Sequence, residues 1–389
     1  MTQNKDRKEP LMIKSEINEI KKLFTQRNCS ITRICGCYVD GEKNKKTELK
    51  QAFLALPEEE MFKYFEILRK TLSGTPGKNL LTLEFPLNTE APDGTQEFLL
   101  RLRDSKLKDD ALLQEYYDKI IDAYEYVGNY LILVIHDVYD IPGKTSDGLD
   151  MEDASDEIYE YILTCICPVK LSKPGLSYNA SENTFQNRIR DWVVDLPETG
   201  FLFPAFHDRS ADIHSTLYYS KDSEDLKEGF VEQLLGCPLP LSAGGQKETF
   251  HTLIEETLGE TCDIEIVKNI HEKINEMVEE HKDEPAPLML DKNEVKTLFA
   301  SSGVSNEKLA DFDEYYDNTA GEDTSLYVSN VVNTRTFEVK TPDIVIKVNP
   351  ERMDLIETQS IGGRECLVIA LDGGVMVNGI NVHTNYNTL

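Results

Sequence analysis

At Glu284-Pro285-Ala286-Pro287 a long stretch of helical periodicity ends on two prolines in three residues. Proline has no amide hydrogen and its ring collides with the preceding turn, so no regular helix crosses this point. A chain of 389 residues is also longer than one hydrophobic core usually holds. The break therefore predicts two domains: residues 1–283, a Pro-rich linker at 284–290, and residues 291–389. The predicted fold class is α+β. A larger mixed domain of helices and antiparallel sheet is followed by a smaller one, a helical pair and then a small antiparallel β-sheet.

Local patterns fill in this division. Apolar residues at helical spacing predict helices at 12–26, 58–72 and 109–126. The second opens with Pro57 and three acids and closes on Arg69, Lys70 and Gly74, as helix-end electrostatics favour. Strands are expected at 30–39, 80–85, 130–139 and 161–171. Residues 191–196, 200–206 and 213–220 read as consecutive antiparallel strands. Three helices follow, near 226–235, 245–258 and 264–281. After the break come helices at 292–300 and 305–316. Strands at 336–340, 344–348 and 366–371 and a closing hairpin are expected to form one small sheet. In that hairpin Asn378-Gly379 has the composition of a type I′ turn.

Charge narrows the function classes. Lys and Arg total 41 against 70 Asp and Glu, a net −29, which excludes a generally basic nucleic-acid protein. The charge is segregated. Residues 1–50 hold 12 basic against 7 acidic residues. A second window, Cys165 to Arg190, carries Lys170, Lys173, Arg188 and Arg190 with Glu182 as its only acid. Immediately before it lie Asp147, Asp150, Glu152, Asp153, Asp156, Glu157 and Glu160. They read as a solvated acidic loop, or as the flank of a basic groove for an anionic ligand. No apolar run approaches the ~18 residues that span a bilayer, and the charged N-terminus is not a signal peptide. The eight cysteines are scattered as in a reducing cytoplasm.

Several motifs invite chemistry. Thr71 to Asn79 holds a Gly-Lys pair, but only two residues separate Gly74 from Gly77 where a phosphate loop needs four. A helix precedes it and a strand follows, the reverse of a phosphate loop, so a helix cap and turn is the expectation. Cys35/Cys37 and Cys165/Cys167 are Cys-x-Cys pairs whose side chains share a strand face. They read as buried apolar residues rather than the closer-spaced knuckle of zinc sites. His207, Asp208, Asp212 and His214 form a dense polar cluster. It suits a metal or acid-base work, and equally the self-bonding turn of a hairpin. Alternation aims Trp192 and Val194 inward.

Ile31-Thr32-Arg33-Ile34-Cys35-Gly36-Cys37-Tyr38, Thr71-Leu72-Ser73-Gly74 through Gly77-Lys78-Asn79, Arg103-Asp104-Ser105-Lys106-Leu107, Cys167-Pro168-Val169-Lys170-Leu171, Gly200 through Phe206 and Val345 through Pro350 resemble an uncharacterised family of Firmicutes proteins, a domain of unknown function. That resemblance implies no activity. The order from Asp191 to Leu258, with Gly229-Phe230-Val231-Glu232-Gln233-Leu234-Leu235-Gly236-Cys237, and the run Phe337 to Val348 are similar in pattern to the NdpA-type nucleoid-associated family.

The expectation is therefore a cytoplasmic bacterial binding protein without catalysis, associated with the nucleoid or nucleic acid through Lys170, Lys173, Arg188 and Arg190. Two alternatives stay open: a metal-assisted enzyme near His207, Asp208, Asp212 and His214, and a scaffold whose acidic surface meets a basic partner. No catalytic residue, metal ligand or cofactor is assigned and no membrane contact is expected. Protein partners and oligomeric state are left open.

Overall fold

A computed structural model describes residues 11–144, 150–259, 262–371 and 373–382, with side chains omitted from 144 to 156. The chain packs as two compact units, Met1–Gly245 with Pro285–Pro287, and Gln246–Glu284 with Leu288–Leu389. The Pro-rich break thus ends a helix without separating the packed units. The two long helices before it, expected in the first domain, pack with the second.

The first unit is built on an antiparallel sheet. Its strands are β1 (Arg33–Val39), β2 (Lys45–Ala52), β3 (Leu80–Glu84), β4 (Asn129–Lys144), β5 (Asp150–Leu171), β8 (Trp192–Val194), β9 (Thr199–Phe203) and β12 (Ser215–Ser220). The order is β2-β1-β4-β5-β9-β12-β3, with β8 paired to the end of β5. A ribbon, β6 (Leu176–Asn179) and β7 (Thr184–Asn187), lies between β5 and β8. A short hairpin, β10 (Ala205–His207) and β11 (Ser210–Asp212), lies between β9 and β12.

Both faces of this sheet are covered. Cys35, Cys37, Ile132, Val134, Ile162 and Phe201 point into one core with α3 (Thr95–Asp104) and α4 (Asp110–Ala123). Ile34, Leu133, Ile135, Leu163, Cys165 and Leu202 point into the other with α1 (Lys14–Lys21) and α2 (Glu58–Thr71). Strands buried on both faces lose the apolar/polar alternation, which explains the continuous apolar runs of β4 and β5. The side chain of Asp109 caps α4 by accepting from the Leu112 amide at 3.1 Å. Gly200 is required by close approach: a Cβ there would stand 2.3 Å from the Thr164 carbonyl oxygen and 2.7 Å from Thr71 Cγ2. After β12 a three-residue helix, α5 (Glu228–Phe230), runs into a wider turn, Val231–Leu235.

The second unit opens with α6 (Ala243–Leu258, its first three residues in unit one) and α7 (Ile264–Glu280). α8 (Lys292–Ser301), with a capping box between Asp291 and Glu294, and α9 (Phe312–Thr319) follow. Phe250, Phe299, Phe312 and Tyr316 form a chain of ring contacts 5.5–6.0 Å apart. β13 (Met289–Leu290) pairs with β14 (Leu326–Tyr327). The expected single terminal sheet is instead three separate ribbons: β15–β16 (Phe337–Lys340, Val345–Val348), β17–β18 (Ile356–Ile361, Arg364–Ile369) and β19–β20 (Val375–Val377, Ile380–Val382). In the last, Asn378 and Gly379 have φ 50° and 82°, the left-handed pair a type I′ turn needs. No helix among the described residues is long and apolar enough to cross a membrane.

Candidate functional site

The window from Lys170 to Arg190 forms an arm. The end of β5 pairs with β8, Leu171 opposite Trp192. The Ser172 amide donates to the Asp191 carbonyl at 2.8 Å and the Arg188 amide to the Gly175 carbonyl at 2.9 Å. Beyond them β6 and β7 continue the ladder, with Ser177 opposite Gln186 and Tyr178 opposite Phe185. The Asn179 carboxamide oxygen accepts from the Ser181 amide at 3.0 Å and the Tyr178 hydroxyl donates to Asn183 at 2.7 Å, which folds the tip. Directly opposed residues share a face. One face therefore carries Leu176, Tyr178, Phe185 and Asn187, and the other Ser177, Asn179, Thr184 and Gln186.

Both faces are open to solvent. Leu176 is 76% exposed, Phe185 69% and Trp192 55%. The inward orientation expected for Trp192 and Val194 is therefore corrected: β8 pairs only with the end of β5, past the helices that cover the sheet, and nothing packs over it among the described residues.

The four cations of this window differ. Lys170 faces Asp195 at 3.3 Å and Glu198 at 3.9 Å, so its charge is largely answered locally. Lys173, Arg188 and Arg190 make no ion pair among the described residues. Arg190 donates through Nε to the Ser172 carbonyl at 2.7 Å, which steadies the base of the arm. Glu182 is the one acid between residues 172 and 190, so the arm is locally positive on an acidic molecule.

Three lysines of the N-terminal basic window have a structural use instead. Lys45 and Lys50 of edge strand β2 pair with Asp118 and Asp110 of α4 at 2.6 and 2.8 Å, and Lys46 pairs with Asp40 at 2.6 Å. Residues 1–10 of that window lie outside the described residues. The acidic stretch before the arm is not a loop: residues 150–160 form the first half of β5, paired with β4. Asp147 lies outside the described residues.

The histidine-aspartate cluster is spread around a turn. His207 Nδ1 is 3.8 Å from Glu16, too far to hydrogen-bond, and His214 Nδ1 is 2.9 Å from Glu90. Asp212 accepts from the His214 amide at 3.1 Å and from the Ser215 hydroxyl at 2.5 Å. The Asp208 amide donates to Glu16 at 2.7 Å. The two histidines thus face different acids, and the Asp212 carboxylate holds the turn. Among the described residues no three His, Cys, Asp or Glu converge as metal ligands.

The cysteine pairs point to opposite sides of the sheet, Cys35 and Cys37 into one core and Cys165 and Cys167 into the other. They share no ion. Burial pushes the Cys165 thiol up to about 12 and the Cys37 thiol up to about 11, so neither offers a thiolate at neutral pH. The loop 72–79 is a turn between α2 and β3, with Gly77 at φ 77°.

Strand β4 also buries a polar pair. His136 (1% exposed) shares a 2.7 Å hydrogen bond with Glu160, and its other ring nitrogen has no partner among the described residues. Burial lowers its pKa, and Glu160 opposes that shift. Asp137, fully buried, accepts from Ser30 at 2.7 Å, Tyr161 at 2.8 Å and the Val138 amide at 2.9 Å. Burial raises its pKa against those bonds. In the second unit, α7 and α8 border a groove of about 350 Å³ lined by Lys273, Glu276, Glu280 and Glu294.

The sequence reading named the arm's cations and missed the ribbon that presents them. The signal was present: Leu-Ser-Tyr-Asn and Thr-Phe-Gln-Asn alternate apolar with polar around Ala-Ser-Glu-Asn, a turn composition.

No curated protein matches the chain. One family model does, over residues 12–380, and on that match the chain belongs to the family described as a domain of unknown function, DUF4317.

Proposed function

We propose that this is a binding protein without catalysis that engages nucleic acid through the arm of residues 172–191. The observation that carries the reading is the placement of Lys173, Arg188 and Arg190. Among the described residues they make no ion pair and lie exposed on the arm, whereas Lys45, Lys46 and Lys50 of the N-terminal window are held by acids of the protein itself. Phosphate contacts need unpaired cations. The acidic body repels a polyanion, but that field decays over about 8 Å at physiological salt. The ribbon's four-residue strands extend about 13 Å.

The test is fluorescence anisotropy with labelled DNA and RNA across a salt series. Three phosphate contacts predict a slope of log affinity against log salt near −2.7, from about −0.9 per contact on duplex. The triple variant Lys173→Glu, Arg188→Glu, Arg190→Glu should abolish binding, while Lys170→Ala should weaken it less than any one of the three single reversals. Binding that survives the triple variant removes the reading.

A second reading rests on the apolar face. Leu176, Tyr178 and Phe185 of that face are all exposed, and exposed apolar patches mark protein contacts. A salt-insensitive complex with a protein, lost in Phe185→Ser, favours it.

A further inference from the structure

Resting on the nucleic-acid reading, we propose that β6–β7 reads a groove of B-form duplex DNA with its polar face. Ser177, Asn179, Thr184 and Gln186 would meet base edges while Lys173, Arg188 and Arg190 hold the flanking phosphates.

The face has the right chemistry. All four side chains carry hydrogen-bonding groups, and those of Ser177, Thr184 and Gln186 make no hydrogen bond to the protein among the described residues. The Asn179 carboxamide oxygen is occupied at the tip and leaves its NH2 group to donate. Carboxamides suit the N6/N7 edge of adenine, and hydroxyls suit either base type. The size also matches. Two strands about 4.8 Å apart form a ribbon that the major groove, about 12 Å wide and 8.5 Å deep, admits. The major groove of A-form RNA is too narrow for side chains to read.

On the opposite face the Tyr178 and Phe185 rings pack on each other with centroids 5.6 Å apart and planes at 56°, and the Tyr178 hydroxyl donates to Asn183. The three cations sit at the base of the ribbon on its two strands' outer ends. Side chains entering the groove would leave them level with the phosphate rims.

The deciding experiment compares full-length protein on labelled duplex DNA, the single strand of the same sequence and duplex RNA, with a pool of random duplexes to find a preferred site. Tight, site-dependent binding to duplex DNA is expected. Ser177→Ala with Gln186→Ala should cost about tenfold on the preferred site and little on random DNA, whereas Tyr178→Ala with Phe185→Ala should leave site preference intact. Preference for the single strand, lost in the aromatic pair variant, overturns groove reading and leaves the arm as a nucleic-acid element. Equal binding to duplex DNA and RNA, unaffected by the polar pair variant, also overturns it. No binding to any of the three overturns both this proposal and the reading beneath it.

Discussion

The central sheet and the arm are hydrogen-bonded in the same antiparallel way, and they differ in everything else. Residues 132–135 of β4, 162–166 of β5 and 201–203 of β9 are buried on both faces. β6 and β7 are apolar on one face, polar on the other and covered on neither. In the sheet, backbone bonds follow from packing. In the arm, a two-stranded ribbon with no packed face has to be held by its turn and its base, here Asn179, Asn183, Ser172 and Arg190. The second unit repeats the contrast: α7 buries Ile270 and Ile274, while Met376, Val377 and Ile380 of the last ribbon are exposed.

The contrast can be broken most severely in the sheet. Phe201, fully buried on β9 with its ring centroid 6.4 Å from that of Phe230, should cost about 3–5 kcal/mol when cut to Ala. Urea denaturation measures this, and a loss below 1 kcal/mol would mean the two-faced core is looser than described.

His271 on α7 gives the next largest effect. Burial pushes its pKa down to about 4, and its ring packs edge-on against Phe337 at 5.3 Å. A depressed folded pKa means that the unfolded chain takes up the proton first. The stability is full above pH 6.5 and is lost as pH falls toward 4, by about 3 kcal/mol. Denaturation midpoints of the wild type and His271→Phe, compared at pH 7 and pH 4, isolate this share. Parallel behaviour at both pH values would show that His271 titrates normally.

Asp137→Asn keeps the shape but leaves one oxygen to accept where the carboxylate serves Ser30, Tyr161 and the Val138 amide. A loss of about 1–3 kcal/mol is expected, larger toward acid, because Asp137's raised pKa makes its own charge costly as pH rises while Asn does not titrate. At the small end, Phe185→Ala on the arm should change global stability by no more than about 0.5 kcal/mol. A loss as large as that of Phe201→Ala would erase the distinction between the two regions.

Much of the fold was legible. α2 and α4 show apolar residues at helical spacing, α2 with matching end charges, and Asn378-Gly379 announces its turn, because these signals act within a few residues. The polar strand β2 was not legible: Lys45-Lys46-Thr47-Glu48-Leu49-Lys50 lacks a strand pattern until α4 supplies Asp110 and Asp118 as partners. The candidate site was half legible. Residue types at Lys173, Arg188 and Arg190 marked a basic window, but the answering of Lys170 by Asp195 and Glu198 depends on how the chain returns after the arm.

The sequence by itself determined the α+β class, the family, the acidic balance and the places where cations gather, all of which are sums or short-range patterns. Only the tertiary structure decided that Trp192 faces solvent, that the cysteine pairs lie on opposite sides of one sheet, that 246–284 pack with the C-terminal unit, and that the basic window is an arm. Each of these turns on which distant strand or helix covers a face, and local periodicity is the same whether that face is covered or bare.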